Sequence, residues 1–292
     1  MLNLKSLISD YTRICTFILI SAVCAIAAAP ARAAETELDQ GYRHMYNLEF
    51  AQAHQSFAEW QGLHPEDPMA PASDAAAHLF SEFDRMHILQ SEFFTHDQHF
   101  TTDHKVTPDS AVKRKFEADL DAARKLSSRA PSDPNSMFAA LLASGLHSDY
   151  LALVDKRYAA AFQEMKEARL EAERLLAADP DYSDAWVAVG VENYMLSVKP
   201  APVRWLLRLA GGQTDRALGV QKLKLAGEKG HYLGPFARLL LAVASLRDKD
   251  IGHASDLMER LAREYPNNPL YVQELARMRS ASPAMHAAGV AR

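Results

Sequence analysis

The stretch ERLLAADPDYSDAWVAVG, residues 173–190, decides the fold. Upstream of its proline, Ala168, Ala172 and Leu175 stand twelve, eight and five residues before Pro180. Steps of four and then three put them on one stripe of an amphipathic helix. Pro180 cannot continue that helix, because its ring removes the N–H donor. Downstream, Ser183 can cap a new helix beginning at Asp184, with Trp186, Val189 and Gly190 on its first turns. The segment reads as two helices joined by a proline turn.

The same punctuation recurs. HPEDP (64–68), APSDP (130–134), ADPDYSD (178–184) and YPNNP (265–269) each close one helix and open another. Before Pro65 stand Ala53, Phe57 and Trp60; before Pro266 stand Ala254, Met258 and Leu261, at the spacing seen before Pro180. Asp133 can cap a helix whose first residue is Pro134, a position that needs no donor. Elsewhere apolar residues recur at three and four, as in FEADLDAARKL (116–126), and no convincing period-2 alternation appears. The pattern predicts an all-α chain of about eleven helices paired as hairpins, with a frayed, disordered tail at 281–292.

A small residue where two helices touch, two larger ones facing the core and a proline terminator describe the second helix of a tetratricopeptide repeat. Trp186, Val189 and Gly190 occupy the Trp, Leu and Gly positions of its first helix, and Gly41 the Gly position of the first unit. On these residues the chain resembles the tetratricopeptide repeat superfamily over most of its length. The central segment GVENYMLSVKPAPVRWLLRLAGGQTDRALGVQKLKLAGEKGHY is also similar to the tetratricopeptide repeat protein 39 family and the related inclusion-body clearance proteins. Successive prolines lie 66, 49 and 86 residues apart, which are not multiples of 34. The resemblance therefore implies a degenerate α-solenoid over 34–280, with insertions near 94–107 and 197–212.

Stacked hairpins leave a curved inner surface lined by first helices. Carried over by repeat position, that surface comprises Leu38, Tyr42, Met45 and Tyr46 in the first unit. The middle unit supplies Asp184, Val187, Val191, Tyr194 and Met195, and the last Phe236, Leu239, Val243, Leu246 and Arg247. Two readings stand: core covered by the next helix, or a groove for a partner's helix or peptide, with Tyr and Met as adaptable anchors. The partner-binding candidates are Leu38, Tyr42, Met45, Tyr46, Tyr194, Met195 and Arg247, with the Tyr42/Tyr46 face as the open site.

The first 33 residues carry Lys5 and Arg13, an apolar run from Ile14 to Ala29, and Ala31-Arg32-Ala33. This is the pattern of a secretory signal cleaved after Ala33, and it makes the protein exported, periplasmic or secreted. Both cysteines, Cys15 and Cys24, lie inside it, so the mature chain has no disulfide or thiol chemistry. Val23 before Cys24 does not suit lipid attachment. Removing Lys5, Arg13, Arg32 and Asp10 takes the net charge from −5 to −7, which argues against nucleic acid as a partner. No segment after residue 33 is long and apolar enough to span a bilayer. PVRWLLRLAGG (202–212) sets Trp205, Leu206 and Leu209 beside Arg204 and Arg208, either as a short interfacial helix or as a plug against the solenoid.

FFTHDQHFTTDHK (93–105) holds three histidines and two aspartates. It reads either as a solvated connecting loop or as a metal site using His96, His99 and Asp103 or His104; a lid over the groove is a third possibility. The stretch has no Cys, no Glu and no H-E-x-x-H spacing. Acid-x-x-His pairs of the kind used in di-iron bundles occur at Asp84/His87, Glu228/His231 and Asp250/His253, against about 1.5 expected by chance. No nucleophile elbow, phosphate loop or dinucleotide fingerprint is present. Gly211-Gly212 reads as a helix stop. The expectation is a protein- or peptide-binding scaffold of the cell envelope, without catalysis and without a cofactor. The alternatives are a metal-dependent enzyme or metal carrier on the 96–104 stretch, and a lipid or small-ligand cavity lined by the 197–212 insertion.

Overall fold

Aspartate caps set many of the helix starts. The carboxylate of Asp109 accepts from the N–H groups of Ala111 and Val112, Asp133 from Ser136, Asp215 from Leu218 and Asp250 from His253. Each satisfies donors that a first helical turn leaves open. As expected, Pro134 occupies the first turn after Asp133. Ser183 does not cap: a short 3₁₀ turn, Ser183–Ala185, intervenes, and its hydroxyl donates to the Asp181 carbonyl.

The computed structural model describes residues 35–89 and 107–289, with side chains through residue 280. The expected signal (1–33) lies outside the described residues, as do His96, His99, Asp103 and His104. Twelve α-helices are described: α1 Glu37–Tyr46, α2 Phe50–Leu63, α3 Met69–Arg85, α4 Ser110–Ser127, α5 Pro134–Leu153, α6 Tyr158–Ala178, α7 Trp186–Ser197, α8 Ala201–Leu209, α9 Arg216–Lys229, α10 Gly234–Arg247, α11 Ile251–Glu264 and α12 Pro269–Gly289. The described residues contain no strand, and no helix among them is long and apolar enough to cross a membrane. The last helix continues to Gly289, into the stretch expected as a tail.

Consecutive helices pack against each other along the chain except at α8, past which α7 packs on α9, and α3 also packs on α1 and α5. The stripes read from the sequence are the contact faces. Ala53, Phe57, Ala168, Ala172, Leu175, Ala254, Met258 and Leu261 are all buried, none more than 2% exposed. Three hairpins turn alike: Leu48, Lys156 and Lys249 have φ of 62°, 57° and 63°, and the next helix starts two residues later in each case. The left-handed residue reverses the chain and lets the helix end close on itself, with Glu49 N–H donating to His44 O and Asp250 N–H to Ser245 O. Gly211, φ 88°, ends α8 in the same way, as the sequence indicated.

Helices α7 and α9 approach closely through glycines. A Cβ on Gly219 would lie 2.6 Å from the Tyr194 backbone nitrogen, and one on Gly190 3.1 Å from the Gly219 carbonyl oxygen. Around this crossing, Glu192, fully buried, accepts from Arg169 on α6 at 2.9 Å and from the Gln213 N–H at 2.8 Å. Asn193 donates to Gln213 and accepts from the Asp215 N–H. These bonds fasten the returning end of the insertion. Its helix α8 buries no residue: Trp205 is 61% exposed, and Leu206 and Leu209 are exposed as well.

The chain also closes on its beginning. The Tyr46 hydroxyl donates to the Tyr232 carbonyl at 2.8 Å, Asn268 donates to the Tyr46 carbonyl at 2.9 Å, and the Asn267 N–H donates to Asn47. The 231–233 loop is itself held by buried Asp184, whose carboxylate accepts from three successive N–H groups, those of His231, Tyr232 and Leu233. Helix α1 is thereby enclosed.

Helix propensity alone would make Gly219→Ala stabilising. The backbone contact at Tyr194 makes it destabilising by about 1–3 kcal/mol, whereas Gly62→Ala, where a Cβ meets no atom within 4 Å, gains up to about 1 kcal/mol. Urea unfolding of both variants checks the pair.

Candidate functional site

The expected partner-binding face is covered. Tyr42 and Tyr46 are 4% and 5% exposed, and Leu38 and Met45 are buried with them. The Tyr42 ring stacks on Tyr232 with centroids 4.7 Å apart, and its hydroxyl accepts from Ser73 Oγ at 3.1 Å. Burial pushes both phenols above their ordinary range. Tyr194 is buried and Met195 half-buried in a second apolar cluster with α9 and α10, and Arg247 sits at the end of α10. Leu38, Tyr42, Met45, Tyr46 and Tyr194 are buried, whereas Met195 and Arg247 keep part of their surface exposed. Asp184, also placed on the inner surface by repeat position, holds the 231–233 loop.

The helices leave between them a space of about 80 Å³, bounded by α1, α3, α5, α6, α7 and α10. Phe80, Leu142, Leu146, Val187, Val191 and Phe236 form much of its wall. A second space of about 30 Å³ shares Met45, Tyr46, Phe80 and Phe236 as a partition. The 197–212 insertion lines neither, so the cavity expected beside Trp205 is instead at the centre of the helix array, because α8 stands clear of the body.

One polar group in that apolar wall is not accounted for by the protein itself. The hydroxyls of Tyr42, Tyr46 and Ser148 are all hydrogen-bonded to protein atoms. Asp149 on α5 also lines the cavity, and no hydrogen bond or ion pair reaches its carboxyl among the described residues. Protein surrounds it deeply, yet it keeps some accessible surface. Burial raises its pKa to about 7. Gly145, one turn earlier, also lines the cavity, and a Cβ there meets no atom within 4 Å.

The acid-x-x-His pairs do not converge. His87 has φ 58° at the end of α3, Asp250 caps the N–H of His253, and His231 bonds Asp39. A different set does meet: His54 on α2 with Asp74 and His78 on α3, their ligand atoms within 4.8 Å of one another. Asp74 and His78 are four apart on one helix face, a spacing visible in the sequence, whereas His54 arrives only through packing of α2 on α3. No family model matches the chain, and no curated protein matches it.

Asp149 gives a signed pH dependence. Between about pH 4, where an unfolded aspartate ionises, and about 7, the unfolded chain binds fewer protons than the folded one. Its contribution therefore lowers stability as pH rises through that window. Asp149→Asn should match the parent protein at pH 4 and exceed it at pH 8 by on the order of 2 kcal/mol. The difference between the two proteins isolates Asp149 from Asp119 and His78. Equal urea midpoints at pH 8 would mean that the carboxyl reaches bulk water.

Proposed function

We propose that this protein is an exported helical-repeat binding protein whose central cavity receives a small, mostly apolar ligand bearing one cationic or hydrogen-bond-donating group. The observation that carries this reading is the Asp149 carboxyl, left without a protein partner in an otherwise apolar wall. A carboxyl buried without a partner costs several kcal/mol if ionised, and a ligand ammonium or N–H removes that cost. Charge is thus the specificity element, and the aromatic and aliphatic wall supplies affinity. The tetratricopeptide-like character of the array is supported by the buried positions before each proline and by the three matching left-handed turns. Export rests on residues 1–33. No catalysis belongs to this reading.

Size narrows the ligand. The cavity is about half the roughly 150 Å³ of an engineered cavity that admits benzene, so it takes a few heavy atoms or the end of a chain. Calorimetry with butylamine, butanol and butanoate on the mature chain tests it. Butylamine should bind most tightly and butanoate least. Asp149→Asn should abolish that order, and Gly145→Leu, which fills the space, should abolish binding of all three. Equal affinities in the parent protein would overturn the proposal.

A second reading keeps an envelope protein as partner and moves it to α8. Arg204 donates to the Lys199 carbonyl at 2.9 Å and Arg208 to the Thr214 hydroxyl at 2.5 Å, so both guanidiniums are turned toward their own chain. That leaves Val203, Trp205, Leu206 and Leu209 as an uncharged patch, better matched to an apolar protein surface than to lipid headgroups. Leu206→Asp with Leu209→Asp should remove a species crosslinked in the native envelope. An unchanged crosslinking pattern counts against this surface.

A further inference from the structure

Helices α2, α3 and α4 each contribute to a half-buried meeting of imidazoles and carboxylates. His54 Nδ1 lies 2.5 Å from Asp74 Oδ1. His78 Nε2 lies 3.8 Å from Asp74 Oδ2 and 3.6 Å from Asp119 Oδ2. The two rings are tilted at 38° with centroids 4.1 Å apart. Ligands bound at about 2.0–2.2 Å in a tetrahedral shell stand roughly 3.4 Å from one another. The His78–Asp74 and His78–Asp119 separations are already close to that edge length, and Asp119, which lies outside the mutual 4.8 Å of the other three, would swing inward to complete the shell. The His54–Asp74 pair, now a hydrogen bond, would open by about 1 Å.

We propose that His54, Asp74, His78 and Asp119 form a binding site for one divalent transition-metal ion of the zinc class. Two imidazoles and two carboxylates make a nitrogen–oxygen donor set suited to such an ion rather than to calcium, which takes six to eight oxygens. Two observations support the assignment beyond the distances. Asp119 Oδ2 is buried without a hydrogen-bond partner, the condition of a ligand atom lacking its ion. His54, Asp74 and Asp119 remain about one-quarter to one-third exposed, which leaves an entry path to the more buried His78. Lys115 on α4 is a nearby opposing charge. With four protein ligands the shell is closed, so the ion would clamp three helices and would not hold a reacting water.

His96, His99, Asp103 and His104, the metal candidates read from the sequence, supply the control. Mature untagged protein is titrated with Co²⁺ and followed by its visible spectrum. One ion per chain, with the intense bands of a tetrahedral site that Zn²⁺ displaces, is the expected result. His54→Ala, His78→Ala and the isosteric Asp74→Asn should each weaken binding by more than about tenfold, while His96→Ala with His99→Ala leaves it unchanged. Helical circular dichroism identifies any variant that fails to fold, and Asp74→Asn then carries the comparison. Weak octahedral bands, sub-stoichiometric uptake, or affinity lost only in the His96/His99 variant would overturn the proposal.

Discussion

The structure depends on keeping helix α1 inside the array. Two later stretches of the chain, 231–236 and 265–271, cover that helix, with Tyr232 against Tyr42 and Tyr265 against Tyr46. The closure is possible because its polar groups find partners. Tyr46, Asn47, Asn267 and Asn268 pair backbone and side-chain groups across more than 180 residues of sequence. Asp184 neutralises three successive N–H groups at the start of α10 with one carboxylate, a charge-assisted arrangement stronger than neutral pairs.

From that closure the rest follows. Aromatic rings that would have faced a partner become core, and the space they do not fill becomes an apolar cavity with Asp149 in its wall. The insertion, tied down by Glu192 and Asn193 at its returning end, cannot also fill the centre, and α8 is left outside with its apolar face uncovered. The His54–Asp74–His78 group lies on α2 and α3, with Asp119 on α4, and none of the four lines either interior space. The two proposals therefore rest on different parts of the molecule.

Much of the fold was legible because it is local. Prolines with Ala, a larger residue and a third apolar residue behind them mark helix faces by spacing alone, and each of those faces is a packing face. What surrounds a first helix is not local: nothing near Tyr42 in sequence tells that Tyr232 will stack on it. The site shows the same division. Asp149 stands on the stripe of Leu142 and Leu146 at steps of seven and three, an acid on an apolar stripe that spacing alone makes legible. Asp74 and His78 are likewise legible as an i, i+4 pair. His54 and Asp119 join them only through helix packing, which no spacing encodes.

The most direct test that α1 is covered and that the space beside it is apolar is a crystal structure of the mature protein under xenon, an atom that enters apolar cavities and not water-filled grooves. Xenon is expected between Phe80, Leu142 and Phe236, with the Tyr42 hydroxyl still bonded to Ser73 and that of Tyr46 to the Tyr232 carbonyl. A chain of ordered water running past Tyr42 and Tyr46 to bulk solvent, with no xenon at that position, would contradict it.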